Sequence, residues 1–398
     1  MRAITLAIVA LLGPASLAGA PATGPSTADL GALPLPHLVN PRRIEGELSV
    51  TVANVQPFTG DRLAADNATL HLPTDKPPEL HVWAPQIVER LAQRDVQIFE
   101  CTPPPDSEYD DPVNQNHILH WDLTNALTAG NTITLRRRFA YTCYEIAYRI
   151  DPDRIAPGDP DSALHRFFTK SERLIEADSP EIRSLARSIV GGETNPLAKA
   201  RLLFLWVCDH LDYHYDPSDQ SGALNALRSR SGDCTQYSLL YVALCRAAGI
   251  PARIVAGFIF AESTGYHVWA EFYLPGYGWI PADASKADAE DGRHELGLYF
   301  AHLPNDRLVT SVGSNFPVAP SLPWARWSNS EIDQNITDLM QLWTQAGNGF
   351  DATFSSSLRV LRIDPVGTPP TRGADGQPSA DSASLGGSAR REASRIGR

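Results

Sequence analysis

Cys234, His267 and Asp283 fall in that order within one stretch, residues 231–285. A thiolate attacks a carbonyl carbon well and a thiol poorly, and both a helix N-terminus and a nearby imidazolium favour the anion. Gly232-Asp233-Cys234 supplies a glycine for a tight turn and an Asp to cap a helix. Tyr237, Leu240, Tyr241, Leu244 and Ala248 then follow at helical spacing. Gly249 and Pro251 end that helix. The orphan amides of its first turn, that of Cys234 included, could steady a developing oxyanion. Residues 267–273 alternate in polarity, so His267, Trp269, Glu271 and Tyr273 share one face of a strand. Pro275-Gly276-Tyr277-Gly278 is a turn signal, and residues 279–283 return as a second strand. That hairpin brings His267 and Asp283 to the same end, where an Asp can fix the imidazole tautomer and stabilise its charged form. Taken singly, such a Cys is more often a small buried hydrophobe, such a His an ordinary strand residue and such an Asp a turn former. The ordered set, with glycines where turns are needed, is what points to a thiol nucleophile with its base and orienting carboxylate.

This run resembles the transglutaminase-like superfamily, whose core is papain-like. The pattern there is roughly G-x-C, a helix ending L-x-R-x-x-G-I-P-A-R, a strand beginning H-x-W-x-E, then G-x-G-W-x-x-x-D. The chain reads Gly232-Asp233-Cys234, then Leu244-Cys245-Arg246-Ala247-Ala248-Gly249-Ile250-Pro251-Ala252-Arg253. His267-Val268-Trp269-Ala270-Glu271 and Gly276-Tyr277-Gly278-Trp279-Ile280-Pro281-Ala282-Asp283 complete it. The match spans residues 196–312 or so. The resemblance implies an α+β fold, helices packed on an antiparallel sheet, and acyl transfer or hydrolysis at amide bonds of a protein or peptide. Cys234, His267 and Asp283 would be the catalytic residues, with a thioester intermediate and with no cofactor or metal. It also implies a second oxyanion donor upstream of the nucleophile, for which Gln220 and Asn225 are both candidates. Tyr213 and Tyr215 line the cleft or pack in the core. Glu271 is a carboxylate supporting the site or a solvated strand residue, and Trp269 and Trp279 are core or cleft wall. The other class of reading is a non-catalytic scaffold or interaction module that retains the fold. A metal-dependent hydrolase is weaker: His210 and His214 have ligand spacing, but no H-E-x-x-H pattern accompanies them.

The elements around this stretch divide the chain. Residues 1–20 have the form of a secretory signal: Arg2, an apolar run over 4–12 too short to span a bilayer, and Ala18-Gly19-Ala20 as a small-x-small cleavage pattern. They predict an exported protein, periplasmic or secreted. Residues 21–42 are Pro-, Ala- and Gly-rich and read as a flexible lead-in. Segments 47–55, 68–73, 95–101, 117–123 and 131–150 read as short alternating strands, which gives an N-terminal β-sandwich domain over 43–152. After a linker with Pro157, Gly158 and Pro160, the catalytic domain is expected over 160–363. It opens with helices from about 179 to 190 and from Asn195-Pro196 onward. Residues 314–328, with Trp324 and Trp327, read as a cover for the cleft or a tethered loop, 332–346 as a short amphipathic helix and 356–363 as a closing strand. Asp288, Glu290 and Asp291 read as a solvated loop. Residues 364–398 have the composition of a disordered tail.

The formal net charge is −12 and no basic block occurs, which argues against a nucleic-acid partner. No segment after the N-terminus is long and apolar enough to cross a membrane as a helix. Of five cysteines, a Cys101–Cys143 disulfide is expected in an oxidising compartment, the alternative being two reduced buried thiols. If Cys208 and Cys245 form a second pair, Cys234 is the one left over, as a reactive thiol should be; both could equally pack reduced between two helices.

Overall fold

In chain order, β1 (His37–Pro57), α1 (Gly60–Thr69), β2 (Glu79–Pro85), β3 (Gln93–Thr102), β4 (Ser107–Asp111), β5 (Asn116–Asp122) and β6 (Ile133–Ala147) come first. Helices α2 (Ala163–Phe168), α3 (Pro180–Val190) and α4 (Pro196–His210) follow, then β7 (Asp212–Tyr213), α5 (Ala223–Ser229) and β8 (Ser231–Gly232). Next are α6 (Cys234–Ala247), β9 (Ala252–Phe260), β10 (Thr264–Leu274), β11 (Gly278–Ala282), α7 (Ala284–Ala287), α8 (Leu296–Tyr299), β12 (His302–Leu303) and β13 (Arg307–Val312). β14 (Phe316–Pro317), β15 (Ile336–Thr337), β16 (Thr344–Asn348) and β17 (Phe350–Pro365) close the chain. This computed structural model describes residues 36–366 apart from 216–221, 261–263, 289–293, 321, 323–335 and 338–342.

Two sheets face each other in the N-terminal part. One runs β12-β6-β1-β17 with β3 also on β6, the other β16-β2-β5-β4. Val50, Val52, Val55, Leu80, Val82, Leu119 and Trp121 fill the space between them. Along β1 the buried residues alternate from Ile44 to Val52 and then shift phase to Val55. The register slip between Ala53 and Gln56 is the cause, since one extra residue in a strand flips every later side chain to the other face.

A third sheet, β11-β10-β9-β13, carries the motif residues. Ala252, Ile254, Val268, Ala270 and Phe272 form one face and pack with the helices. Phe258, Phe260 and Leu308, further along the sheet, pack against Ile44, Phe139 and Tyr141 of the first sheet. Helix α6 is buried from Gln236 through Arg246, so it is a central helix apolar on nearly all sides rather than an amphipathic surface helix. Gly257 lets β13 close on β9: a Cβ there would lie 1.8 Å from the Leu308 carbonyl oxygen. Gly257 is also the residue paired with His267, so this close approach sets the position of the His strand.

Several expectations change. Residues 37–42 belong to β1, whose first residues pair with the end of β6 through His37↔Ala147 and Leu38↔Ile146. Residues 68–69 end α1 and 70–73 form a turn, because Asn67 is buried and donates to the Lys76 carbonyl at 2.8 Å, folding the chain back. β2 was hidden because both its faces are covered, Leu80 and Val82 in the sandwich core and Trp83 in a separate cluster. Residues 344–348 are strand β16 on β2, not a helix. β17 pairs along β1 from Arg42↔Pro365 to Pro57↔Phe350, so the closing strand belongs to the N-terminal sheets rather than to the unit expected over 160–363. It also takes in Asp364 and Pro365 from the expected tail. Val318 and Leu322 pack on Trp83 and Ile118 of the sandwich, and the Trp83 indole donates to the Ala319 carbonyl at 2.8 Å, so this part of the segment covers the sandwich. Residues 1–20, most of 21–42, Trp324, Trp327 and 367–398 lie outside the described residues.

All five cysteines are free thiols. In the β3–β6 ladder Cys101 pairs with Arg137 and Cys143 with Gln93. Six residues of strand therefore separate the two cysteines, roughly 20 Å at the usual strand rise, far beyond disulfide reach. The Cys143 thiol instead donates to the Arg307 carbonyl at 3.2 Å, and that of Cys208 to the Ala284 carbonyl at 3.4 Å.

Candidate active site

Cys234 is the first residue of α6, at the point where Gly232 turns the chain into the helix. Asp233 caps it: its carboxylate accepts from the Thr235 amide at 2.7 Å, and the Gln236 side chain accepts from the Asp233 amide at 3.2 Å. This reciprocal box satisfies donors on both sides of the cysteine and fixes the direction of the first turn. Gly232 has no Cβ because the Gln236 side chain occupies that place, 2.4 Å from where one would stand.

β10 and β11 pair as a hairpin, with Ala270 opposite Ala282. His267 and Asp283 are thereby brought together, His267 Nε2 lying 2.7 Å from Asp283 Oδ2. Asp283 is 0% exposed, His267 4% and Cys234 8%. Asp283 Oδ1 accepts from the Lys286 amide and the Ser285 hydroxyl, at 3.2 and 3.1 Å, and caps α7. A fourth residue joins this group: Arg307 Nη2 lies 2.8 Å from Asp283 Oδ2, with its guanidinium over the Trp269 ring at 5.0 Å. Burial alone would raise the Asp283 carboxyl. The charges and hydrogen bonds of His267 and Arg307 outweigh it and hold the group well below the usual carboxylate range.

The Cys234 thiol hydrogen-bonds to the backbone of Val268, the residue after His267. Burial, then Asp233, pushes this thiol up to about 12, with Asp283 adding to the rise and the Val268 contact opposing it. A thiol so placed needs a base to take its proton. With Nε2 engaged by Asp283, Nδ1 is the ring nitrogen of His267 left for that task.

Tyr213 and Tyr215 are both exposed, which removes core packing as their role. β7 pairs with β8 through Tyr213↔Gly232, two residues before Cys234, and the Tyr213 ring lies 6.1 Å from that of Tyr237. The Tyr213 hydroxyl hydrogen-bonds to the backbone of Cys234; burial and then the negative charge of a Cys234 thiolate push this phenol up to about 12. Asn225 lies on α5, and Gln220 lies outside the described residues. His210 stacks on Trp206 with ring centroids 4.2 Å apart and bonds through Nδ1 to the Trp206 carbonyl, a structural arrangement. Asp288 accepts from the Tyr237 hydroxyl at 2.6 Å, while Glu290 and Asp291 lie outside the described residues.

The remaining motif residues are structural ties. Glu271 pairs across the ladder with Arg253, whose Nε is 2.8 Å from Glu271 Oε2 and whose guanidinium lies 3.9 Å over the Trp279 ring. Buried Arg246 donates to the Ala252 and Lys170 carbonyls, both at 2.9 Å, and faces Glu172 at 3.4 Å, fixing the exit of α6 to β9. Arg307 was missed by sequence reasoning: its partner Asp283 caps α7 in a distant segment, and nothing in Asp306-Arg307-Leu308 signals it.

Residues 183–284 match the model of the transglutaminase-like superfamily. This matched core, which holds the Cys234 helix and the His267–Asp283 hairpin, is transglutaminase-like. A Haemophilus influenzae uncharacterized protein is 31% identical over 137 residues, covering 26% of this chain and 36% of the relative. A Pseudomonas aeruginosa protein-glutamine gamma-glutamyltransferase is 31% identical over 111 residues, covering 24% of this chain and 16% of the relative. The chain thus spans little more than a third of one of these relatives and under a fifth of the other. A solved structure of a candidate cysteine protease from Cytophaga hutchinsonii shares the fold, with a TM-score of 0.54 at 18% identity over 84% of this chain and 95% of that one.

Proposed function

We propose that the chain is a cysteine enzyme that performs acyl transfer or hydrolysis at carboxamide carbonyls of a protein or peptide, with Cys234, His267 and Asp283 as the catalytic residues. The observation that carries this reading is the buried His267–Asp283 pair at 2.7 Å, on a strand whose next residue touches the Cys234 thiol at the helix N-terminus. His267 takes the thiol proton through Nδ1, and the sulfur attacks the carbonyl carbon. The oxyanion meets the Cys234 amide at the start of α6. The C–N bond then breaks as the imidazolium protonates the leaving amine, and a thioester remains. A second amine, or water activated by the same imidazole, attacks the thioester and returns the thiol. Asp283 stays ionised throughout, held by Arg307, and stabilises the imidazolium. The Pseudomonas relative's name favours an amine acceptor for that protein; for this chain water and an amine are both within the mechanism. The sequence of residues 1–20 supports export to the periplasm or beyond.

One observation favours a scaffold that keeps the fold without catalysis: the burial that pushes the Cys234 thiol up to about 12. Incubation with a glutamine-containing peptide library, with and without a primary amine, separates these readings. Amine incorporation makes the chain a transferase, and shortened or deamidated peptides make it a hydrolase. Absence of either product, with no acyl adduct on Cys234 by intact mass, overturns the enzyme reading.

A further inference from the structure

A cavity of about 290 Å³ lies on the face of the β10 sheet opposite α6, between that sheet and β6. Ile146, Val255, Trp269, Leu303 and Val312 form one buried cluster in its wall. Tyr148 and Trp279 also line it, the Tyr148 hydroxyl donating to the Trp279 carbonyl at 3.0 Å. The charged side chains of the wall are already served. Arg253 and Glu271 bind each other at 2.7 Å, Arg307 holds Asp283, and Arg90 donates to Asn114 and Asn116. What the cavity offers an occupant is therefore aliphatic and aromatic surface.

Pro36, the first described residue, lines this cavity. The first pairs of β1, His37↔Ala147 and Leu38↔Ile146, set the start of that strand beside Ile146 of the wall, and Leu38 packs on the same cluster. Upstream of Pro36 the sequence reads Leu30-Gly31-Ala32-Leu33-Pro34-Leu35. Pro34 and Pro36 fix their own φ and bar the residues before them from the helical region, which favours a polyproline form. That form has three residues per turn, so Leu33 recurs on the side of Pro36, roughly 9 Å away. Grooves lined by Trp and Tyr hold such segments well, because a chain already restricted to this form gives up little entropy on docking.

The other end of the chain leaves nearby, since the Val366 amide donates to the Pro41 carbonyl at 3.1 Å. Residues 367–398, however, carry only Leu385 and Ile396 as large apolar side chains, whereas Leu30, Leu33 and Leu35 fall within six residues. The lead-in, not the tail, matches the wall.

We propose that residues 33–35 continue from Pro36 into this cavity and dock there as a strap, with Leu33 as the anchor. The strap supports Trp269, whose ring lies 6.2 Å from that of His267, and so ties the N-terminal lead-in to the back of the candidate site. The inference does not rest on the chemistry of Cys234, and its readout is where the segment lies.

The test replaces Leu33, in the full chain, with a photo-activatable diazirine side chain and maps the cross-links by mass spectrometry; Leu385 is replaced in the same way for comparison. Position 33 is expected to link within its own chain to residues 144–148, 269–279 or 303–304, and position 385 is not. A second variant, Leu33→Asp with Leu35→Asp, alters no residue of the folded core. Its backbone amides at 146–148 and 269–271 are expected to exchange hydrogen at least about tenfold faster than wild type, the effect of losing one buried leucine. Links from position 33 to other surfaces only, links to a second copy, or links from position 385 to the cavity wall overturn the proposal. Exchange at those amides identical to wild type does so as well.

Discussion

Replacing Asp283 with Asn tests the buried charge group at its centre. Asparagine keeps an oxygen for the Lys286 amide and Ser285 hydroxyl that Asp283 now serves, so the α7 cap survives. What disappears is the negative charge shared by His267 at 2.7 Å and Arg307 at 2.8 Å. Arg307 then loses its counter-charge at 2.8 Å and keeps only the Asp306 carboxylate, 3.7 Å from its Nε, a loss of about 3 kcal/mol for a group this enclosed. Arg307→Met alone strands the Asp283 carboxylate and costs a similar amount. The double variant strands neither, so it is expected to be more stable than the sum of the single losses predicts by about 2–3 kcal/mol. Urea unfolding at pH 7, followed by tryptophan fluorescence and circular dichroism together, measures all three. Single losses below about 1 kcal/mol, or strict additivity in the double variant, would refute the reasoning that Asp283 and Arg307 are one electrostatic unit.

Other consequences follow from the same structure. The Asp283 carboxyl is held below its ordinary value of 3.8, so its contribution to stability is fully present above that pH and is lost as the pH falls through the depressed value. The stability gap between wild type and Asp283→Asn is therefore expected to stay flat from pH 5 to 7 and to shrink below about pH 4; a gap that grows on acidification contradicts it. Gly257→Ala drives a methyl into the Leu308 carbonyl 1.8 Å away, where no rotamer change can relieve it, and should cost about 3 kcal/mol in urea unfolding. A loss under 1 kcal/mol would mean that β9 and β13 part easily. Glu271→Gln leaves Arg253 without its charge partner and is expected to cost about 1–2 kcal/mol while Cys234 alkylation stays within twofold of wild type; a large fall in alkylation would place Glu271 in the reaction.

The candidate site was legible because its parts are local. Gly232, Asp233 and Cys234 announce a capped helix start, and the hairpin that joins His267 to Asp283 is closed by a turn whose glycines are in plain view. The parts that were not legible depend on contacts between distant segments. Arg307 is ordinary in its own strand and acquires meaning only when β13 closes on Gly257. β17 alternates like any half-buried strand, and nothing in that alternation names β1, some three hundred residues earlier, as its neighbour. The Cys101–Cys143 pairing failed for the same reason: both cysteines are on adjacent strands, but the register sets them far apart. Residues 68–73 misled because a helix end followed by a turn presents the same short apolar alternation as a strand.

The most direct test of the central claim is the rate at which Cys234 is alkylated by an iodoacetamide-type reagent from pH 6 to 10, read by intact mass in wild type and in His267→Ala. If His267 takes the thiol proton, wild type gains one adduct on Cys234 at neutral pH, and in His267→Ala the reaction moves toward the high pH that burial of the thiol imposes. Equal alkylation of the two proteins across the range, or a Cys234 that reacts in neither below pH 10, would contradict the account and leave the fold as a scaffold.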